Sequence, residues 1–434
     1  MHVLPNILFV VLLGGAAFWF SKNVGRIRRN ILLGRDIDRS DKASKRRANM
    51  FRVAFGQSRM QARPIAGILH FIIYVSFLII NIEVLEIVID GIFGTHRFFA
   101  SFLGRAYDTL ISFFEILAVA TIITAIIFWW RRNIGKLDRF HKPEMKGWPF
   151  KDANIILYIE VGLMIALLNM NAVEENFSSN EHSFLVSHLI APIWSGLSVQ
   201  SLHIVERLFW WIHITGILAF LNYLPFSKHF HIILAFPNTY YANLEAKGKF
   251  TNNATVTKEV KLMMDPSADP FAAPAPETET APEKFGAKDA NDLSWINLLN
   301  AYTCTECGRC TSECPANLTG KKLSPRKIMM DTRDRIDEIG KNIEHNGQFI
   351  EDNKSLLGDY ISKEELWACT SCNACVQACP VDIDPLNIIM QLRNFATMEE
   401  SSAPAELNAM MTNVENNGAP WPFSQMDRAN WINE

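Results

Sequence analysis

Two stretches decide the reading of this chain: CTECGRCTSECP at residues 304–315 and CTSCNACVQACP at residues 369–380. They hold all eight cysteines of the 434-residue sequence. Each spells C-x2-C-x2-C-x3-C-P, the spacing that surrounds a [4Fe–4S] cluster with thiolates from one short loop. A zinc site would favour two C-x2-C pairs or added histidines, and neither run contains a histidine. Disulfides would need an oxidising compartment.

Where two such runs occur together in ferredoxins, the fourth cysteine of each serves the other cluster. On that rule Cys304, Cys307, Cys310 and Cys379 hold one cluster, and Cys369, Cys372, Cys375 and Cys314 hold the other. The spacing of about 54 residues between the runs is long for a compact bacterial ferredoxin and suggests an α-helical ferredoxin domain. Ser324–Arg335 opens on Ser-Pro with apolar positions at helical spacing, and Pro385–Phe395 also reads as a helix.

The net charge of −3 implies no general polyanion partner and no nucleic acid. That average covers two unlike halves, an apolar one (residues 1–236) and a soluble one that carries every cysteine. The apolar half contains five runs of membrane-spanning length: Leu4–Phe20, Ile65–Phe93, Leu110–Trp130, Ala153–Met170 and Leu208–Leu224. A secretory signal would place its charges before the first run, but here Lys22, Arg26, Arg28 and Arg29 follow it, so the first run is expected to be a retained helix.

Loop charge sets the orientation. Residues 21–63 carry thirteen Lys or Arg and residues 131–151 carry seven, whereas 171–206 carry none. This pattern predicts a multi-pass protein of the bacterial cytoplasmic (inner) membrane, with its N-terminus outside and the cysteine domain in the reducing cytoplasm. The predicted fold is an all-α membrane protein, a five-helix cytochrome b-like bundle followed by a cytoplasmic α-helical ferredoxin domain. The expected domains are the span bundle at 1–236, a juxtamembrane segment and Pro/Ala/Glu-rich linker at 237–292, the two-cluster domain at 293–398 and an irregular tail at 399–434.

Histidine is uncommon inside membrane helices and is a functional candidate there. His70 lies near the inner end of the second run, His213 within the fifth, and His229 and His231 where the fifth leaves the membrane. Paired axial imidazoles from two helices can hold a b-type haem. Similar depth favours His70 with His231, while His70 with His213 stays open. One haem is expected. A second depends on a partner for His213.

The stretch WWIHITGILAFLNYLPFSKHFHIILAFPNTYY (210–241) resembles the last helix of nitrate reductase gamma-type cytochrome b subunits. In that family two haem ligands are spaced as His213 and His231 are. GILHFIIYVSF (67–77) resembles its ligand-bearing second helix, with His70 on the first ligand position and Ile80 standing where the second would fall. The resemblance therefore implies an inner haem on His70 and His231, and leaves His213 to pair with His188 or His203 or to hold no haem. The whole arrangement is similar to membrane-bound heterodisulfide reductase-like and electron transfer flavoprotein:menaquinone oxidoreductase-like proteins. The resemblance implies a quinone substrate and partners in an electron transfer flavoprotein or another soluble dehydrogenase. Those families also carry cysteine-rich CCG domains. No Cys-Cys pair exists here, so a separate CCG-domain iron–sulfur subunit is expected.

Quinone chemistry moves protons with electrons, which calls for a protonatable group near the ring. The candidates are Glu83 and Glu160, deep in their runs, with Glu86, Asp90 and Glu115 nearer the ends. The sequence thus reads as a membrane-bound electron-transfer subunit of a quinone-linked oxidoreductase, and the rival reading is an iron–sulfur redox sensor or assembly scaffold. A Rossmann glycine fingerprint and a P-loop are both missing, so neither Rossmann-type NAD or flavin binding nor P-loop ATP hydrolysis is expected. Direction of flow is not legible in the sequence.

Overall fold

The computed structural model describes residues 3–178, 184–250, 252–267 and 284–433. Five helices are long and apolar enough to cross a membrane: α1 (Val3–Ile31), α2 (Pro64–Phe93), α3 (Arg105–Asn133), α4 (Trp148–Glu175) and α5 (Val199–Tyr223). The protein is a membrane protein of all-α class. Each span runs beyond its apolar stretch, because polar first and last turns continue the helix into the interface. Pro64 opens α2 where a missing N–H costs nothing. Ser198 caps α5 by accepting from the Ser201 N–H.

The five spans close a ring, with α1 on α2, α2 on α3, α3 on α4, α4 on α5 and α5 back on α1. Side-chain hydrogen bonds fix the register. Trp129 Nε1 donates to Tyr158 Oη at 2.9 Å, and Asn133 and Asn154 exchange amide bonds at 3.1 Å. Such bonds are favoured in lipid, where no water competes for the polar groups.

The fifth span does not continue through residue 241 as one helix. It ends at Tyr223, and two 3₁₀ turns at Leu224–Phe226 and Lys228–Phe230 follow before α6 (His231–Tyr240) begins. Pro225 and the extended Ser227 break the ladder. Asp152 of α4 ties down the break by accepting from Tyr223 Oη (2.5 Å), Ser227 Oγ (2.7 Å) and the Lys228 N–H (3.1 Å). His213 and His231 therefore stand on different helices.

The remaining helices include α7 (Ala254–Met264), α8 (Trp295–Thr303), α9 (Pro325–Asn346), α10 (Pro385–Met398) and α11 (Ala405–Asn417). The helices expected at Ser324–Arg335 and Pro385–Phe395 correspond to α9 and α10, each longer than its motif. Folded structure starts earlier than residue 293, since Ala287 and Ala290 are fully buried in the same core as Leu293. The Pro/Ala/Glu-rich linker falls largely on residues 268–283, outside the described residues. The tail is more regular than expected. It carries α11 and a 3₁₀ stretch at Gln425–Ile432, neither of which buries a residue.

The cysteine domain docks directly on one end of the bundle. Ile27 and Ile31 of α1, Leu224 beyond α5 and Phe230 and Leu234 near α6 belong to the same apolar core as α8, α9 and α10. Gly340 of α9 marks the closest approach. A Cβ there would collide with the Asn30 side-chain amide of α1, so only glycine permits the contact. Asn30 Nδ2 in turn donates to Tyr302 Oη of α8 at 2.9 Å. Arg326, fully buried, reaches Glu144 at 2.7 Å in the loop between α3 and α4.

Candidate functional site

All eight cysteines are free thiols. The two loops share a backbone device, with residues two and four after each first cysteine in the left-handed region: Glu306 and Gly308 in one loop, Ser371 and Asn373 in the other. Alternating left-handed residues curl a short loop so that its sulfurs and N–H groups face one volume. The Ser371 N–H donates to Cys369 Sγ at 3.4 Å, and the Ile383 N–H to Cys379 Sγ at 3.3 Å. Gly308 needs its missing side chain as well as its φ, because a Cβ there would meet Arg326 Nη1 at 2.5 Å.

One cavity is lined by Cys304, Cys307, Cys310 and Cys379 together, with Pro380, Val381 and Ile383 closing it. The fourth cysteine of the second run thus stands with the first three of the first. Cys314 stands with the other set, close enough to Cys369 and Cys375 for their charges to interact. Among the described residues no three His, Cys, Asp or Glu side chains are packed to hold a single metal ion. A lone zinc would need each sulfur about 2.3 Å away, whereas a four-iron cubane needs its thiolates spread wider. Burial pushes the Cys304 thiol up to about 11. Thiols held in this way ionise readily only beside a bound cation. Cys372 is the exposed member of the eight.

The first cysteine loop touches the histidine region. Lys228, three residues before His231, pairs with Glu306, which sits between Cys304 and Cys307. Burial pushes the Glu306 carboxyl up, but Arg333 and Lys228 outweigh it and hold the group below the usual carboxylate range. Arg309, which sequence alone left undecided between surface and site, is 5% exposed and donates to the Arg59 carbonyl at 3.1 Å, just before α2. Arg59 Nη1 returns to the Cys379 carbonyl at 3.2 Å, and the same guanidinium pairs with Asp382.

His70 and His231 face each other with ring centroids 6.4 Å apart. Two imidazoles that each place a nitrogen about 2 Å from one metal have ring centres about 6 Å apart, so the pair fits the axial positions of one haem. His231 Nδ1 lies 3.0 Å from the Lys228 carbonyl. That supporting bond leaves Nε2 as the ligand atom. His70 Nδ1 is buried without a partner. His229 stacks edge-on against His231 at 5.5 Å.

His213 has the same kind of supporting bond, Nδ1 to the Leu163 carbonyl at 2.9 Å, and its Nε2 is buried and unpartnered. No second imidazole meets it among the described residues. His188 is exposed and pairs with Glu175, His203 packs on Phe177 with centroids 4.0 Å apart, and position 80 is a buried isoleucine. Of the quinone candidates, Glu160 Oε2 is buried with no hydrogen-bond partner. Glu83 is 3% exposed. Asp90 is a loop clasp that accepts from Thr95 Oγ1 and from the Arg97 and Phe98 N–H groups. Sequence reasoning missed Lys228, Glu306 and Arg59. Their neighbours in sequence, His231 and the cysteines, were the only signal pointing to them.

Residues 303–383 match the family described as 4Fe-4S dicluster domain. Along its length the chain is similar to a probable iron-sulfur-binding oxidoreductase FadF of Bacillus subtilis, 28% identical over 99% of this chain and 61% of that protein. It is also similar to an EtfAB:quinone oxidoreductase of Syntrophomonas wolfei, 26% identical over 92% of this chain and 55% of that protein. The cysteine domain is 33% identical to one subunit of the ferredoxin/F(420)H(2)-dependent CoB-CoM heterodisulfide reductase of Methanosarcina acetivorans, over 24% of this chain and 52% of that protein. The chain therefore spans somewhat more than half the length of the full-length relatives it matches. No solved structure matches. The likeness read from the cysteine and histidine motifs, to heterodisulfide reductase-like and electron transfer flavoprotein:quinone oxidoreductase-like proteins, is borne out by these relatives.

Proposed function

We propose that this chain is the membrane-bound electron-transfer subunit of a quinone-linked oxidoreductase, passing electrons between a cytoplasmic redox partner and the quinone pool by way of two [4Fe–4S] clusters and haem b. The observation that carries this reading is the Lys228–Glu306 pair, which fastens the first cysteine loop to the turn that presents His231. A sensor or scaffold has no need to fix a cysteine loop against a facing histidine pair.

When bound, the clusters and the haem supply one-electron relay chemistry. Cys304, Cys307, Cys310 and Cys379 would hold the cluster beside the bundle, and Cys369, Cys372, Cys375 and Cys314 the one at the exposed end. His70 and His231 would hold the haem. Exposed Cys372 marks the face where a soluble partner approaches, such as a CCG-type iron–sulfur subunit or an electron transfer flavoprotein. Arg393 stacks on Trp367 at 4.9 Å and donates to the Cys369 carbonyl, covering the second loop from water. The basic loops on the docked side support a cytoplasmic location for this domain, with the opposite end of the bundle outside.

A rapid-mixing experiment tests the reading. A menaquinol analogue added to the purified, detergent-solubilised protein should reduce the iron–sulfur clusters, recorded by low-temperature paramagnetic resonance. His70→Ala should slow that reduction at least about a hundredfold, while dithionite, which reaches the clusters directly, reduces both proteins alike. Equal quinol-driven reduction in wild type and His70→Ala would refute the proposed route.

A further inference from the structure

The end of the bundle remote from the cysteine domain holds a buried network that the reading above does not use. Glu86 of α2 accepts from Tyr107 Oη of α3 and from the Phe99 N–H, both at 2.7 Å. Arg97, in the loop between α2 and α3, donates to Tyr107 Oη at 3.1 Å, to Asn171 Oδ1 of α4 at 3.0 Å and to both carboxylate oxygens of Glu174. Asn171 continues to Glu115 of α3 at 3.1 Å, whose other oxygen accepts from the Val186 N–H at 2.7 Å. His96 Nε2 lies 3.0 Å from Glu174 and is 57% exposed, so the network reaches the surface there.

Glu86, Glu115 and Glu174 each have bonded donors of their own. Glu83, one turn further into the bundle on the same helix, does not. It is 3% exposed and within electrostatic reach of Arg97, Glu86, Glu115 and Glu174, but among the described residues it makes no hydrogen bond. It lies ten residues before the end of α2, about 15 Å into the bundle. Around it stand three other acids and a single arginine, so the set cannot be wholly ionised in a lipid-thick interior. The bonded acids have fixed partners, and Glu83 is the member whose proton the network does not fix.

We propose that Glu83 is the inner terminus of a proton port that runs by Glu86, Tyr107 and the Arg97–Glu174 pair to His96, so that the protons of the quinone couple exchange on the side of the membrane opposite the iron–sulfur domain. This rests on the quinone-linked reading. Written as oxidation, the two O–H bonds of the quinol break. Two electrons leave toward the cysteine domain and an acceptor beyond it, and two protons leave by Glu83 to the remote side. Reduction uses the same groups in reverse. The port separates charge across the membrane, because electrons and protons depart in opposite directions.

The test uses the full-length protein in lipid vesicles, with a short-chain menaquinol in the lipid, membrane-impermeant ferricyanide outside and a pH dye in the lumen. Only molecules with the iron–sulfur domain outward can react, so ferricyanide reduction should acidify the lumen. Glu83→Gln should slow quinol oxidation about a hundredfold and Glu83→Asp should restore much of it, with dithionite reduction unchanged in both. Acidification of the outer medium instead of the lumen overturns the port, even if neither variant folds. Wild-type rates in Glu83→Gln also overturn it and leave the quinone reading standing. A wild-type protein reducible by dithionite but inert to quinol removes both.

Discussion

Cys379→Ser is expected to remove the cluster framed by Cys304, Cys307 and Cys310, although Cys379 lies in the other cysteine run. The cavity lined by those four sulfurs gives the reason. Serine is isosteric with cysteine but offers a hard, largely un-ionised hydroxyl where a soft thiolate is needed. The purified variant should contain about four non-haem irons in place of about eight. Its remaining paramagnetic signal should be that of the Cys369 cluster, which keeps Cys314 as its fourth ligand. Electron transfer from quinol to an external acceptor should fall more than about a hundredfold, since loss of even a supporting group around a metal costs roughly 10–100-fold. A variant that keeps the Cys304 cluster and loses the Cys369 one would show that each run serves its own cluster.

His70→Ala and His231→Ala should each abolish the same haem. The two rings face each other at 6.4 Å from α2 and α6, and no other imidazole is placed to substitute on the α2 side. Either change leaves an imidazole with an open position opposite, so the optical bands assigned to that haem should vanish in both variants alike. His213→Ala should leave those bands intact, because its Nε2 faces no partner histidine. Loss of different bands in the two variants would dissolve the pairing.

The cysteine chemistry was legible because thiolate spacing is a local property, and the spans because their apolar length is. Grouping of Cys379 with Cys304 follows a rule about paired runs, and the structure brings those sulfurs to one cavity. The break after Tyr223 was also written in the sequence, as Leu224-Pro225 and Ser227, but the continuity of the apolar stretch concealed it. What could not be read is long-range. Gly340 against Asn30, Lys228 against Glu306 and Arg326 against Glu144 join residues from tens to hundreds of positions apart, and none carries a local signature. The outer network divides in the same way. Glu83, Glu86 and Glu115 were visible as acids in apolar runs, whereas Arg97 and Tyr107 look like ordinary loop and helix-start residues until the fold places them against those acids. The tail was read as irregular because its helix, α11, has no buried stripe to announce it.

The most direct test of the account is a count of haem b and non-haem iron in the purified protein, taken with its reduced-minus-oxidised optical spectrum after addition of a menaquinol analogue. About eight non-haem irons with haem b, and haem bands that develop on quinol addition, are the predicted result. About eight irons without haem would contradict it, leaving His70 and His231 as packing residues and the chain as an iron–sulfur protein anchored in, but not wired to, the membrane.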